Sequence, residues 1–150
     1  MLLYLVRHGK AESGDDDARN LTDGGRKAVG RIARKLSDAG LHVDRIEHSG
    51  LARAAETAEI LSRAVGGEVV AVAGLGPSDN VAETARRLEG RDDGSIMLVG
   101  HLPFMGRLAS YLLTGNADAE PLHFRAGTVA CLTSSDGGWV LEWLLPPSLA

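Results

Sequence analysis

Strands that alternate with helices predict an α/β fold of three layers. It has a mainly parallel central sheet, helices on both faces and a C-terminal antiparallel hairpin. Three observations carry this expectation. LLYLV (2–6) and SIMLVG (95–100) are short, continuous apolar runs, the pattern of strands covered on both faces. Apolar residues recur at helical spacing in the segments between such runs. The chain then closes on two strand-like runs, GTVACLTS (127–134) and WVLEWLL (139–145), joined by a turn around SDGG. A chain of 150 residues with 44% hydrophobic composition fits a single domain, 1–150, with a core of its own.

Each element has a local reason. After the first strand, SGDDDARN (13–20) is polar and acidic and reads as an exposed loop. Its three aspartates form either a solvated tip or a metal site. Thr22 is an N-cap for a helix carrying Val29, Ile32, Ala33 and Leu36 on one face, and Gly40 ends it. DRIEHS (44–49) is a second strand. Ser49 is expected to cap a helix with Leu51, Ala54, Ala55, Ala58 and Leu61 on its apolar side. EVVAVAGL (68–75) is a third strand, followed by a helix from about Asn80 to Leu88 and a turn at RDDG (91–94). Beyond the fourth strand, Pro103 suits the first turn of a helix running to about Leu113, and TGNADAEP (114–121) is a loop. In the final strand, Trp139, Leu141 and Trp143 alternate and are expected to share one face.

Composition narrows the function. A net charge of −4 and a pI near 5.7 argue against general nucleic-acid affinity, so any polyanion binding must be local. The one cysteine, Cys131, lies in an apolar run and reads as a small core residue, with no disulfide and no cysteine-based metal cluster possible. No stretch approaches the length of a membrane span, and the apolar N-terminus runs straight into charges. A reducing, cytoplasmic setting is the expectation, with no membrane partner.

In a parallel α/β sheet, ligands sit beyond the carboxyl ends of the strands. Arg7-His8-Gly9 follows the first strand, Ser49 to Thr57 the second, Gly76-Pro77-Ser78-Asp79 the third and Gly100-His101 the fourth. Phosphoryl transfer to a side chain needs a nucleophile that is neutral and basic near pH 7, which imidazole supplies. It needs planar, permanently charged forks around the phosphoryl oxygens, and a further donor for developing charge. Arg7, His8, Arg53 and His101 match those needs. Gly9 is expected to let a phosphate approach the backbone beside His8, and the helix start after Ser49 favours an anion. Taken singly, each residue has a plainer reading: a hydrogen-bonded structural histidine, or an arginine on a helix surface. A metal held by His8 and His101 is a further alternative, though no Asp or His stands at ligand spacing beside either.

LYLVRHGKAE (3–12) resembles the signature of the histidine phosphatase superfamily, which includes phosphatases and phosphoglycerate mutases. RNLTDGGRKA (19–28), HSGLARAAETA (48–58), VGHLPFMGRL (99–108) and FRAGTVACL (124–132) resemble further segments of that family in the expected order. The short chain is most similar to the SixA-type phosphohistidine phosphatases. That resemblance implies a three-layer α/β fold, His8 as the phosphorylated nucleophile, and Arg7, Arg53 and His101 as the phosphate pocket. It implies no metal or organic cofactor. The partner would be a phosphohistidine-bearing protein or a small phosphorylated metabolite. The alternatives are a small-molecule phosphomonoesterase, a mutase, or a non-catalytic phosphoprotein-binding module.

The sequence departs from the family pattern at three places. Where mutase-like members carry a phosphate-contacting Asn, this chain has about Gly14. His48 stands where a small hydroxyl residue is common, as a pocket residue or a strand-end side chain. Where larger members place a glutamate general acid after the third strand, this chain reads LGPSDN; Asp79 is the nearest carboxylate, either acid or helix N-cap, with Glu83 one turn on. A weak or absent acid suits a P–N bond better than an alkyl ester, because imidazole accepts a proton near neutral pH and an alkoxide is a poor leaving group.

Overall fold

A computed structural model describes residues 1–91 and 94–150. The expected turn at RDDG falls partly on 92 and 93, which lie outside the described residues. The elements follow in the order β1 (Leu2–Arg7), α1 (Asp23–Asp38), β2 (Arg45–His48), α2 (Ala52–Val65), β3 (Glu68–Ala71), α3 (Val81–Leu88), β4 (Ser95–Gly100), α4 (Phe104–Thr114), β5 (Val129–Ser135) and β6 (Gly138–Leu145). A 3-10 turn covers Pro147–Leu149. The six strands form one sheet in the order β3-β2-β4-β1-β5-β6. β1 to β4 run parallel, while β5 is antiparallel to β1 and β6 to β5. This is the expected α/β architecture.

β1 shows why a continuous apolar run is required. Leu3 and Leu5 point to a core closed by Phe104, Met105 and Leu108 of α4 and by Val81 and Leu88 of α3. Tyr4 and Val6 point to the opposite core, closed by Val29, Ile32 and Leu36 of α1 and by Ala54, Ala58 and Leu61 of α2. Each fully buried aliphatic side chain of this size stabilises the fold by about 1.5–3 kcal/mol. α1 begins as expected: Gly25 N–H donates to Thr22 Oγ1 at 2.9 Å. Such a cap is worth about 1 kcal/mol. At the other end Gly40 takes a left-handed φ of +80°.

Several boundaries differ from expectation. β3 stops at Ala71 because its partner β2 has only four residues, and the ladder ends at His48↔Ala71. Ser49 does not cap α2. Leu51 holds the N-cap position without a side-chain bond, and the Ala52 N–H is taken by the Asp17 carbonyl. Asn80, not Asp79, caps α3, its side chain accepting from Ala82 N–H at 2.9 Å. In β6 the ladder jumps from Cys131↔Trp143 to Leu132↔Leu141, so Glu142 is the extra residue of a bulge. The bulge breaks the alternation. Trp143 packs on the α1/α2 side against Tyr4, whereas Trp139 and Leu141 pack on the α3/α4 side. The three residues therefore do not share a face. Cys131 is buried, and burial pushes its thiol up to about 11. Among the described residues, no helix is long and apolar enough to cross a membrane.

Candidate active site

The central pair of the sheet builds the site. β1 and β4 are neighbours in register, with Arg7 opposite Gly100, and the next rung is His8 N–H donating to the Gly100 carbonyl at 2.9 Å. This rung sets His8 and His101 side by side at the carboxyl ends of the two strands. Their ring centroids are 4.9 Å apart. A pocket of about 360 Å³ opens there, with Arg7, His8, Arg19, Arg53 and His101 in its walls together with Lys10. The four residues singled out in the sequence thus converge.

The pocket residues are held from outside it. His8 Nδ1 lies 2.6 Å from the Gly9 carbonyl. A carbonyl can only accept, so Nδ1 carries the proton and Nε2 of the neutral ring keeps its lone pair. Arg7 donates through Nη1 to the Phe124 carbonyl at 2.9 Å. His101 Nε2 lies 2.6 Å from Ser49 Oγ, which also accepts from Leu51 N–H at 3.3 Å. Ser49 is thus tied to the second histidine as well as to Leu51, just ahead of α2. Arg53 is buried, and the Asp17 carboxylate lies 4.0 Å from its Nη1.

Several buried nitrogens are left over. Among the described residues, Arg7 Nε, Arg53 Nη1 and His101 Nδ1 have no hydrogen-bond partner. Orphaned buried guanidinium N–H groups are costly unless something accepts from them, and two of them at one pocket suit an anionic oxygen cluster. Among the described residues, no three His, Cys, Asp or Glu side chains converge in a way that could hold a metal ion. Asp15, Asp16 and Asp17 are exposed, as the solvated-tip reading expects.

Electrostatics keep both imidazoles neutral. Burial lowers the His8 pKa to about 4; the Gly9 carbonyl pulls upward, but Arg53, Arg7 and Arg19 add to the lowering. His101 is lowered to about 3 by burial, then by His8, Arg53 and Arg19. At pH 7 the site therefore presents unprotonated nitrogen beside arginine charge.

Three expectations need correction. Gly9 does not line the pocket: its N–H is taken by Thr57 Oγ1 at 3.1 Å. A Cβ there would lie 2.6 Å from Val29 Cγ2 and 3.3 Å from the Gly25 carbonyl, so packing on α1 demands the glycine, not phosphate approach. Gly25 is matched to it, since a Cβ on Gly25 would lie 2.2 Å from the Lys10 carbonyl. Asp79 does not join the pocket residues; its carboxylate accepts from Gly76 N–H at 2.7 Å and closes its own loop. The α2 start offers less to an anion than expected, because the Ala52 N–H already has a partner. His48 follows the strand-end reading, its Nδ1 accepting from Gly50 N–H at 3.0 Å.

Arg19 was not foreseen. It enters the wall because its guanidinium donates to the Asp16 and Glu12 carbonyls, both at 2.9 Å, within a loop pinned by the Ala11↔Leu21 bridge. A second, larger cleft of about 640 Å³ adjoins the pocket across the exposed Leu102. Pro103, Glu120, Pro121 and Leu122 line it, with Phe124, whose carbonyl holds Arg7, at its base.

A neutral imidazole ringed by arginines at the carboxyl edge of a parallel sheet has the chemistry that phosphoryl transfer needs. Residues 3–76 match the model of the histidine phosphatase superfamily, branch 1. An uncharacterized protein of Picosynechococcus sp. is 32% identical over 97% of this chain and 100% of its own length. The structure of the protein histidine phosphatase SixA complexed with tungstate superposes with a TM-score of 0.86 at 24% identity, covering 99% of this chain and 98% of that one. A candidate phosphohistidine phosphatase SixA from Agrobacterium tumefaciens gives a TM-score of 0.82 at 27% identity, covering 97% of both chains. The chain belongs to the histidine phosphatase superfamily. It is a phosphatase with a SixA-like fold.

Proposed function

We propose that this phosphatase works through a phosphohistidine intermediate on His8 and removes phosphate from phosphohistidine of a protein. The observation that carries the reading is the His8 Nδ1–H bond to the Gly9 carbonyl, which leaves the Nε2 lone pair free beside three arginines. Arg7, Arg19 and Arg53 hold the phosphoryl oxygens and His101 steadies the charge that develops on them.

In the first step, His8 Nε2 forms a bond to phosphorus as the bond from phosphorus to the substrate nitrogen breaks. The departing imidazole takes a proton from water, and the hydroxide left behind takes up the proton released when a second water adds to phosphorus. Water then attacks the phosphorus, inorganic phosphate leaves, and His8 returns to its neutral form. The binding-module alternative needs no neutral nucleophile, so the His8 geometry disfavours it.

Two features support a protein phosphohistidine. Asp79, the nearest carboxylate after β3, is turned to Gly76, so no acid from that loop serves an alkoxide leaving group. The cleft beyond Leu102 leaves room for far more than a phosphate. The test is phosphate release from a phosphohistidine-bearing carrier protein, with chelator present, for wild type and His8→Ala. Release by wild type alone supports the reading. Equal release by His8→Ala overturns the nucleophile, and faster turnover of an alkyl phosphate than of the carrier protein overturns the substrate, pointing to the phosphomonoesterase.

A further inference from the structure

We infer that Thr57 is a positioning residue that ties the nucleophile and the phosphate arginine into one rigid unit. The inference rests on the assignment of His8 as nucleophile. It starts from an oddity of α2: a hydroxyl that is 0% exposed on the helix face turned to the sheet. Buried hydroxyls persist when both their donor and acceptor capacities are used. Thr57 Oγ1 lies 2.8 Å from the Arg53 carbonyl, one helical turn back, and 3.1 Å from Gly9 N. The carbonyl can only accept and the amide can only donate. The hydroxyl hydrogen therefore points to Arg53, and the oxygen receives the Gly9 N–H.

This hydroxyl is the middle of a relay. His8 Nδ1–H donates to the Gly9 carbonyl, Gly9 N–H donates to Thr57, and Thr57 donates to the Arg53 carbonyl. Gly9 itself packs against Val29 and Gly25 and cannot move closer to α1. The relay thus fixes where the Gly9 carbonyl points, and that carbonyl decides which nitrogen of His8 is protonated. It also fixes the turn of α2 that carries Arg53. Two groups from distant parts of the chain, which must act on one phosphorus, share one hydroxyl as their common reference. Misplacement by about 1 Å can cost about 100-fold in rate, so such a joint acts on turnover more than on binding.

The experiment compares Thr57→Val, which keeps the shape and removes the hydroxyl, with Thr57→Ser, which keeps the hydroxyl. Thr57→Val is expected to lower kcat by about 10- to 100-fold while inorganic phosphate binds within about 3-fold of wild type. Thr57→Ser should keep kcat within about 3-fold. Nitrogen-15 NMR of labelled histidine supplies a readout independent of turnover: His8 should be protonated on Nδ1 in wild type and Thr57→Ser, and a mixture of tautomers in Thr57→Val. A folded Thr57→Val with wild-type kcat and tautomer overturns the proposal. So does a Thr57→Ser as impaired as Thr57→Val, which would assign the role to the methyl group. Should Thr57→Val not fold, the wild-type spectrum still decides, since a proton on His8 Nε2 overturns the relay. Loss of turnover in His8→Ala is a separate result and bears only on the nucleophile.

Discussion

Gly9→Ala separates two explanations for a glycine beside His8. If the glycine served phosphate approach, the variant would fold normally and bind phosphate poorly. The geometry gives a different outcome. The new Cβ would sit 2.6 Å from Val29 Cγ2, so the valine must retreat by about 0.8 Å to reach ordinary contact. Val29 is buried on α1 and β-branched, with one strongly preferred rotamer in a helix, so it cannot rotate away. The remaining contacts, 3.3 Å to the Gly25 carbonyl and 3.4 Å to Leu21 Cδ2, block a shift the other way. Overpacking of this kind costs about 1–3 kcal/mol. For a chain of this length that lowers Tm by about 3–10 °C. The assay is urea unfolding of Gly9→Ala, Val29→Ala and the double variant. Val29→Ala alone loses about 2 kcal/mol of burial. Because the alanine methyl occupies part of the vacated space, the double variant should fall short of additivity by about 1–2 kcal/mol. Additive losses, or a Gly9→Ala of unchanged stability with weakened phosphate binding, would refute the packing argument.

The two histidines should shape acid stability. Both have folded pKa values depressed from about 6.5, to about 4 for His8 and about 3 for His101, so their contribution is full above pH 6.5 and is lost as pH falls. Between pH 6.5 and 5, before most carboxylates titrate, unfolding free energy should drop with a slope of up to about 1.4 kcal/mol per pH unit for each histidine. His8→Gln should shrink that slope, and a flat wild-type profile over this window would contradict the assigned pKa values. Arg19→Ala should weaken inorganic phosphate binding about 10-fold, the low end for a charge-assisted bond from a half-buried group; unchanged affinity by calorimetry would remove Arg19 from the pocket's function. Asp79→Asn keeps an oxygen for Gly76 N–H, so kcat should stay within about 2-fold. A loss of 100-fold or more would restore Asp79 as general acid.

What was legible in the sequence was whatever depends on neighbours in the chain. β1 and β4 declare themselves because a strand covered on both faces must be apolar throughout. Thr22 was visible as a cap because its partner is three residues away. The pocket residues Arg7, His8 and His101 were legible because they fall at the carboxyl ends of parallel strands, where ligands of such sheets sit. What escaped depends on distant contacts. Arg19 sits in an acidic, polar loop that reads as a free tip, and only the pairing of Glu12 with Asn20 and of Lys10 with Thr22 folds that loop over the site. One signal was available: a cation three residues before the Thr22 cap of the helix that underlies the RHG loop. Ser49 looked like a cap because serine before a helix usually is one, and nothing local announces a histidine just past another strand as its partner. The β6 bulge reassigns two tryptophans to opposite layers, and no periodicity of period two can reveal where an extra residue is spliced in.

The β1–β4 pairing has a consequence for how such a protein can diversify. The two imidazoles take their spacing from a rung of a sheet that is covered by helices on both faces, where a slip of one residue would turn both cores inside out. The far wall of the larger cleft, Glu120 to Leu122, comes from a connection with no ladder at all. The paired imidazoles thus sit in the part of the molecule least able to drift. The wall of the neighbouring cleft rests on a segment that can be lengthened, shortened or recoloured while the paired histidines stay in place.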